Sequence, residues 1–303
     1  ILTLRFMLAY DFPFEQALWH GVFHSVSAFN NAGFSSFTDS VMSYQEDSVI
    51  LVPIMLSVII TALGFPVMQD VRHHGLSWRA WTLHSKITLS ATIALLLVGF
   101  VAIAAKEWTN PATLGPMHVG TKLLNAAFHS VMPRTAGFNS LDVGAFRGET
   151  LLMNYVLMFI GGGSAGTAGG IKITTFVVLL AVVASEVGGR RDAEIFGRRL
   201  GYGVERQALT VTVAASVLIM LASMYILAIT SLPMEDVLFE TISAFSTVGL
   251  STGITAQLPP SALGVLAFLM FVGRVGTITV ATALALGGEP RPFRYPEEDP
   301  IVG

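Results

Sequence analysis

The sequence predicts an all-α membrane protein built from repeated units, each a spanning helix, a short re-entrant helix with a glycine phrase, and a second spanning helix. Composition is the first reason. Of the 303 residues 53% are hydrophobic and 12% charged, with a mean hydropathy of +0.67, whereas a soluble domain carries about 25% charged residues. Apolar runs are the second. Crossing a hydrocarbon core of about 30 Å takes roughly 20 helical residues, and Val49 to Met68, Thr88 to Ala105, Ala208 to Thr230 and Ala262 to Leu286 each supply such a run. The third is a phrase that occurs three times. Phe23-His-Ser-Val-Ser-Ala-Phe-Asn-Asn-Ala-Gly33, Phe128-His-Ser-Val-Met-Pro-Arg-Thr-Ala-Gly137 and Phe239-Glu-Thr-Ile-Ser-Ala-Phe-Ser-Thr-Val-Gly249 lie between apolar stretches, their glycines 104 and 112 positions apart. Such a repeat in a membrane protein suggests a pore assembled from similar parts.

Charge orients the units. Arg72, Arg79 and Lys86 separate the first two apolar runs; Arg190, Arg191, Arg198, Arg199 and Arg206 precede the third; Arg291 and Arg294 follow the last. The positive-inside rule makes these segments cytoplasmic. The segments around the repeated phrase then face outward and are acidic, with Asp11, Glu15, Asp39, Glu46, Asp47, Asp142, Glu149, Glu235, Asp236 and Glu240. Acidic charge at a pore mouth concentrates cations; the same charges also read simply as solvated loops.

The first unit, residues 1–75, has only Ile1 to Leu8 of its outer helix, then a short helix at Phe14 to Phe29 and the Val49 to Met68 run. Because the chain begins inside an apolar run, most of that outer helix is expected to lie outside these residues, as is an entire preceding unit if the pore has fourfold pseudo-symmetry. The second unit, 76–203, places its short helix at Lys122 to Met132; the third, 204–303, places it at Glu235 to Phe245 and ends in a short tail. At about 1.5 Å per residue these short helices are half a membrane long. Full crossings would also put the basic loops on alternating sides, so they are re-entrant pore helices.

Leu151 to Val187 would be about 55 Å long as one helix, nearly twice the membrane thickness. It must break, and six glycines within Gly161-Gly162-Gly163-Ser164-Ala165-Gly166-Thr167-Ala168-Gly169-Gly170 mark the place, since each costs a helix about 1 kcal/mol relative to alanine. Irregular backbone at that depth is tolerated where it is buried in protein or lines a wet cavity. The loop is therefore expected in a permeation path, beneath the filter.

A cation that sheds water in a membrane needs other oxygens, which rings of backbone carbonyls provide. Glycine permits the required backbone and close approach to an axis. The candidate filter strands are Asn30-Asn31-Ala32-Gly33, Arg134-Thr135-Ala136-Gly137 and Ser246-Thr247-Val248-Gly249, each preceded by a pore helix aiming the negative end of its dipole at the ion. The alternative for these glycines is close helix packing. Arg134 is expected behind the filter and paired with an acid, because a free positive charge there would repel cations.

These phrases, with Gly-Gly-Ile-Lys172 and Phe-Val-Gly-Arg274-Val-Gly, resemble the ion-translocating subunit of the Trk/Ktr/HKT potassium transporter superfamily, and the short ending is most similar to the bacterial Ktr branch. The resemblance implies four M1-P-M2 units around a pseudo-fourfold pore, of which three are in this sequence, with K+ as the transported ion. It also implies that Arg274, in an apolar span where a cation costs at least about 2.5 kcal/mol, lies near the 161–170 loop. Arg274 and that loop would then form a gate; a structural arginine tying helix carbonyls is the alternative. Lys172 either snorkels to the cytoplasm or joins the gate. Further implications are a multi-pass protein of the bacterial plasma membrane, a homodimer, and a cytoplasmic nucleotide-binding regulatory ring docked on Arg72 to Lys86 and Arg190 to Arg206. Sodium conduction within the same family stays open, as does a secondary transporter with broken helices, although the basic loops give every repeat one orientation.

Other chemistries lack their residues. With no cysteine there is no disulfide or thiolate site. Gly166-Thr-Ala-Gly-Gly-Ile-Lys172 misses the Gly-Lys-Ser/Thr order of a phosphate loop. His20 and His24 have zinc-compatible spacing without a further nearby ligand, so His24 reads as pore-helix packing, and His73 and His74 as solvated residues or part of the docking surface. No intramembrane carboxylate pair, His-Glu-x-x-His or nucleophile elbow is present. No enzyme activity, bound cofactor or nucleic-acid partner is expected.

Overall fold

The computed structural model describes residues 1–75 and 77–276. The last part of the Ala262 to Leu286 run, Arg291, Arg294 and the tail lie outside the described residues.

The first unit comprises α1 (Leu2–Tyr10), pore helix α2 (Phe14–Phe29), α3 (Ser48–Leu63) and α4 (Phe65–His74). The second comprises α5 (Leu83–Glu107), pore helix α6 (Val119–Val131), α7 (Gly148–Phe159) and α8 (Ile173–Val187). A two-stranded hairpin, β1 (Glu194–Ile195) and β2 (Arg198–Arg199), leads to the third, with α9 (Tyr202–Ile229), pore helix α10 (Met234–Phe245) and α11 (Pro260–Val275). Among the described residues two single helices are long and apolar enough to cross a membrane, α5 and α9. Their outer faces expose Leu97, Val98, Val101, Val213, Val217 and Met220, apolar surface that water does not tolerate in bulk.

One expectation is corrected. The Val49 to Met68 run is not a continuous span: it breaks at Gly64, and α4 leaves α3 at 90°. Gly64 adopts φ +87°, which excludes a side chain on steric grounds, and Pro66 supports a new helix start, since proline fits the first helical turn. α4 then carries Asp70, Arg72, His73 and His74 at the basic end of the molecule. Asp70 accepts the Thr82 N–H (3.0 Å) and hydroxyl (2.7 Å), which ties α4 to the start of α5. The other expected break is found: α7 stops at Phe159, α8 starts at Ile173, and Ile160 and Ile171 pair across the loop between them.

The core is divided among the junctions between units. Phe6, Ala28 and Ile54 of the first unit pack with Phe128, Met132 and Phe138 of the second. Ile103, Ala126 and Met158 of the second pack with Phe239, Val248 and Leu250 of the third. Pore helices α2 and α6 thereby meet in the first junction, and α6 and α10 in the second. At the acidic end, the buried Glu107 carboxylate accepts from Asn110 Nδ2 and Thr113 Oγ1 (2.6 Å each), Thr150 Oγ1 (2.5 Å) and Arg147 N–H (3.0 Å). These four donors satisfy a group whose burial is otherwise costly, and they clamp α5 to α7.

Candidate functional site

Each pore helix ends at a strand with the same backbone signature. Asn31 and Gly33 have φ of 50° and 68°, Thr135 and Gly137 of 72° and 75°, Thr247 and Gly249 of 52° and 92°. Positive φ is uncommon outside glycine and is an outlier for a β-branched residue, so the two threonines store strain that the surroundings must hold. The chain returns through backbone bonds to its own helix: Ala32 N–H to Ser27 O (2.8 Å), Gly137 N–H to Met132 O (3.1 Å) and Val248 N–H to Ser243 O (2.9 Å).

The strands also meet one another in order. A Cβ on Gly33 would lie 2.3 Å from Ala136 O, and one on Gly137 would lie 2.0 Å from Val248 O. In both cases the intruding carbonyl belongs to the residue before the next glycine. Around Gly249 the nearest atom is Gly137 Cα at 3.9 Å, and a cleft of about 740 Å³ separates this third strand from the first, lined by Asn31, Ala32, Phe34, Val248, Met270 and Phe271.

Beneath the strands lies the 161–170 loop. A Cβ on Gly169 would come within 2.1 Å of Thr247 Oγ1 and 2.8 Å of Ser246 O, and Gly170 sits against the Ser246 side chain. On its other side the loop docks into the Gly64 break, where Gly163 N–H donates to Ala62 O (2.7 Å) and Phe65 N–H to Ala165 O (3.1 Å). Thr61, one turn before that break, donates to Asn31 Oδ1 (2.9 Å) and so connects the break to the first strand.

Three cations hold the loop. Arg134 is buried, and among the described residues it is not paired with the acid that was expected. Its guanidinium donates to Thr92 O and Gly161 O (3.3 Å each); the second carbonyl opens the loop. A fork of five donors suits several carbonyls at once, which is how the strand accommodates the charge. Lys172 turns back to Ala168 O (2.6 Å) rather than reaching away. Arg274 donates to Thr167 O, so the structure brings it to the loop.

The histidines divide as packing residues. His24 is buried and stacks on Phe37 at 5.1 Å, while His20 contacts Ser36 Oγ at 2.7 Å. Among the described residues no group of three His, Cys, Asp or Glu side chains is placed to hold a metal ion. Sequence reasoning missed the Gly64 break, Thr61 and the Arg134 contact with Gly161. The Gly64-Phe65-Pro66 order followed by Gln69, Asp70 and Arg72 was the available signal for the break; the other two depend on contacts between units that no local pattern carries.

A family model described as TrkH, cation transport protein, matches residues 10–289. The chain belongs to this family. Among TrkH-family relatives, the Ktr system potassium uptake protein B of Bacillus subtilis is 38% identical over 303 residues, covering 100% of this chain and 67% of that protein. The protein of the same name from Vibrio alginolyticus is 38% identical over 97% of this chain and 64% of its own length. The potassium/sodium uptake protein NtpJ of Enterococcus hirae is 35% identical over 97% and 66%. The chain thus spans about two thirds of the length of these relatives. A crystal structure of the potassium transporter TrkH from Vibrio parahaemolyticus superposes with a TM-score of 0.73 at 19% identity, over 93% of this chain and 60% of that one, which supports the TrkH-type fold.

Proposed function

We propose that this chain builds three quarters of the pore of a potassium uptake transporter in the bacterial plasma membrane. The observation that carries the reading is the run of three strands with paired left-handed residues, in which each of the first two glycines receives the carbonyl of the next strand. Left-handed backbone at alternate residues turns successive peptide planes the same way, which suits a ladder of carbonyls that replaces an ion's water. A fourth such strand in the cleft beside Gly249 closes the ring. The 161–170 loop, held by Arg134, Lys172 and Arg274, is the gate beneath it: it must move aside for an ion to pass, and its clamps are hydrogen bonds to backbone carbonyls that a regulator can break. The basic face of Arg72 to Lys86 and Arg190 to Arg206, joined where Trp78 meets Phe196 at 5.8 Å, is the docking surface for a cytoplasmic nucleotide-binding ring, and the functional unit is a homodimer.

Gly137→Ser tests the filter. The new side chain enters at φ +75° against Val248 O, and K+ uptake by the intact transporter in liposomes is expected to fall roughly a hundredfold, about 2.8 kcal/mol. Unchanged uptake and selectivity would remove these strands from the conduction path. The potassium/sodium relative makes sodium transport the second reading; comparable uptake of the two ions by the unmutated protein would favour it.

A further inference from the structure

The first and third pore helices reach across to their own strands in the same way, with different chemistry. His24 and Glu240 occupy the same place in the repeated phrase, nine residues before Gly33 and Gly249. Two residues beyond those glycines stand Ser35 and Ser251. His24 Nε2 contacts Ser35 Oγ at 2.9 Å, and Ser251 Oγ donates to Glu240 Oε1. The middle unit lacks this tie. Its phrase is one residue shorter, the fully buried His129 ring has no hydrogen-bond partner among the described residues, and Asn139 at the corresponding place is held by the neighbouring unit instead, through Val41 N–H to Asn139 O (3.1 Å) and Asn139 N–H to Ser40 Oγ (3.2 Å).

On α10 the grip is double. Ser243, one turn after Glu240 and on the same helix face, donates to Leu250 O (2.6 Å). The two residues directly after Gly249 are thus each fixed to the pore helix. Ser251 Oγ also accepts Gly253 N–H (2.9 Å) and lies 3.0 Å from Thr255 Oγ1, so one hydroxyl joins the strand, the helix and the following turn. The Glu240 carboxylate is buried, borders the cleft beside the third strand, and makes no ion pair among the described residues. A buried acceptor without a cation is costly unless hydrogen bonds satisfy it, which gives the Ser251 contact its weight.

We propose that Glu240 is a positioning residue that sets cation discrimination, its tether to Ser251 holding the third strand at the spacing the selected ion requires. Discrimination depends on where the oxygens stand, so a strand released at one end loses selectivity before it loses conduction. The tether needs an acceptor on residue 240, not a charge.

This rests on the transport reading above, and the test separates the two. In the intact transporter reconstituted in liposomes, K+ uptake is measured with Na+ as competitor for the unmutated protein, Glu240→Ala, Ser251→Ala, Glu240→Gln and the double alanine variant. Each single alanine is expected to lower the K+/Na+ discrimination ratio roughly fivefold, as for one lost hydrogen bond. The double variant should fall no further, and Glu240→Gln, whose amide oxygen still accepts from Ser251, should stay within about twofold of the unmutated ratio. Ser251→Ala removes a single oxygen and keeps the comparison informative if Glu240→Ala fails to assemble. Unchanged ratios in both single variants, or a Glu240→Gln ratio as low as that of Glu240→Ala, overturn the tether while leaving transport intact. No cation uptake by the unmutated protein overturns both.

Discussion

At the residue scale, single polar side chains here tie separate elements together. Thr61 joins the first of the three glycine strands to a helix break, Arg134 joins the second to the loop, and Asp70 fixes the start of α5. Asp70 makes a pH prediction possible because it sits in the basic segment beyond the break. The hydroxyls of Ser85 and Thr82, the Thr82 N–H and the charge of His74 hold its carboxyl down at about 2, from an ordinary 3.8. A depressed carboxyl pKa means that the unfolded chain takes up the proton first. Its contribution is therefore complete above about pH 4 and is lost as pH falls toward 2. Thermal unfolding in detergent is expected to show Asp70→Asn less stable than the unmutated protein at pH 7, with the gap closing below pH 4. A gap that stays constant down to pH 2 would remove the carboxylate from this role.

At the element scale, the two broken helices explain each other. The α7 to α8 break was legible because no membrane accommodates so long a helix and the glycines are dense. The α3 to α4 break was not, because Val49 to Met68 alone satisfies every length and hydropathy criterion for a span; what breaks it is the loop of another unit occupying the space beside Gly64. The same division holds in the three glycine strands. The glycines were legible from their repetition, whereas left-handed Thr135 and Thr247 follow from packing that threonine itself opposes. Arg134 was expected to pair with an acid, but its partners are carbonyls of α5 and of the 161–170 loop, which sequence spacing cannot specify. If the loop is the gate, Arg274→Ala removes the donor to Thr167 O and frees the loop's midpoint, while Arg134 and Lys172 keep its ends. K+ flux without any activating partner is expected to rise roughly tenfold, about 1.4 kcal/mol of lost closed-state stability. Flux that stays low with normal protein yield would make Arg274 a structural tie.

At the scale of the whole molecule, three similar units each contribute one pore helix and one strand with paired left-handed residues, and each neighbouring pair of units shares a core. The succession is directional: strand one receives strand two's carbonyl, and strand two receives strand three's. A pore follows from that geometry only if an ion travels along the strands, and selectivity only if their oxygens stand at fixed spacing. The most direct measurement is cation uptake by the intact transporter in sealed liposomes, with K+ and Na+ supplied together at equal concentration and each followed separately. K+ entering well ahead of Na+ is the predicted result. Entry of neither ion, with the protein folded and its cytoplasmic partner present, would contradict the account.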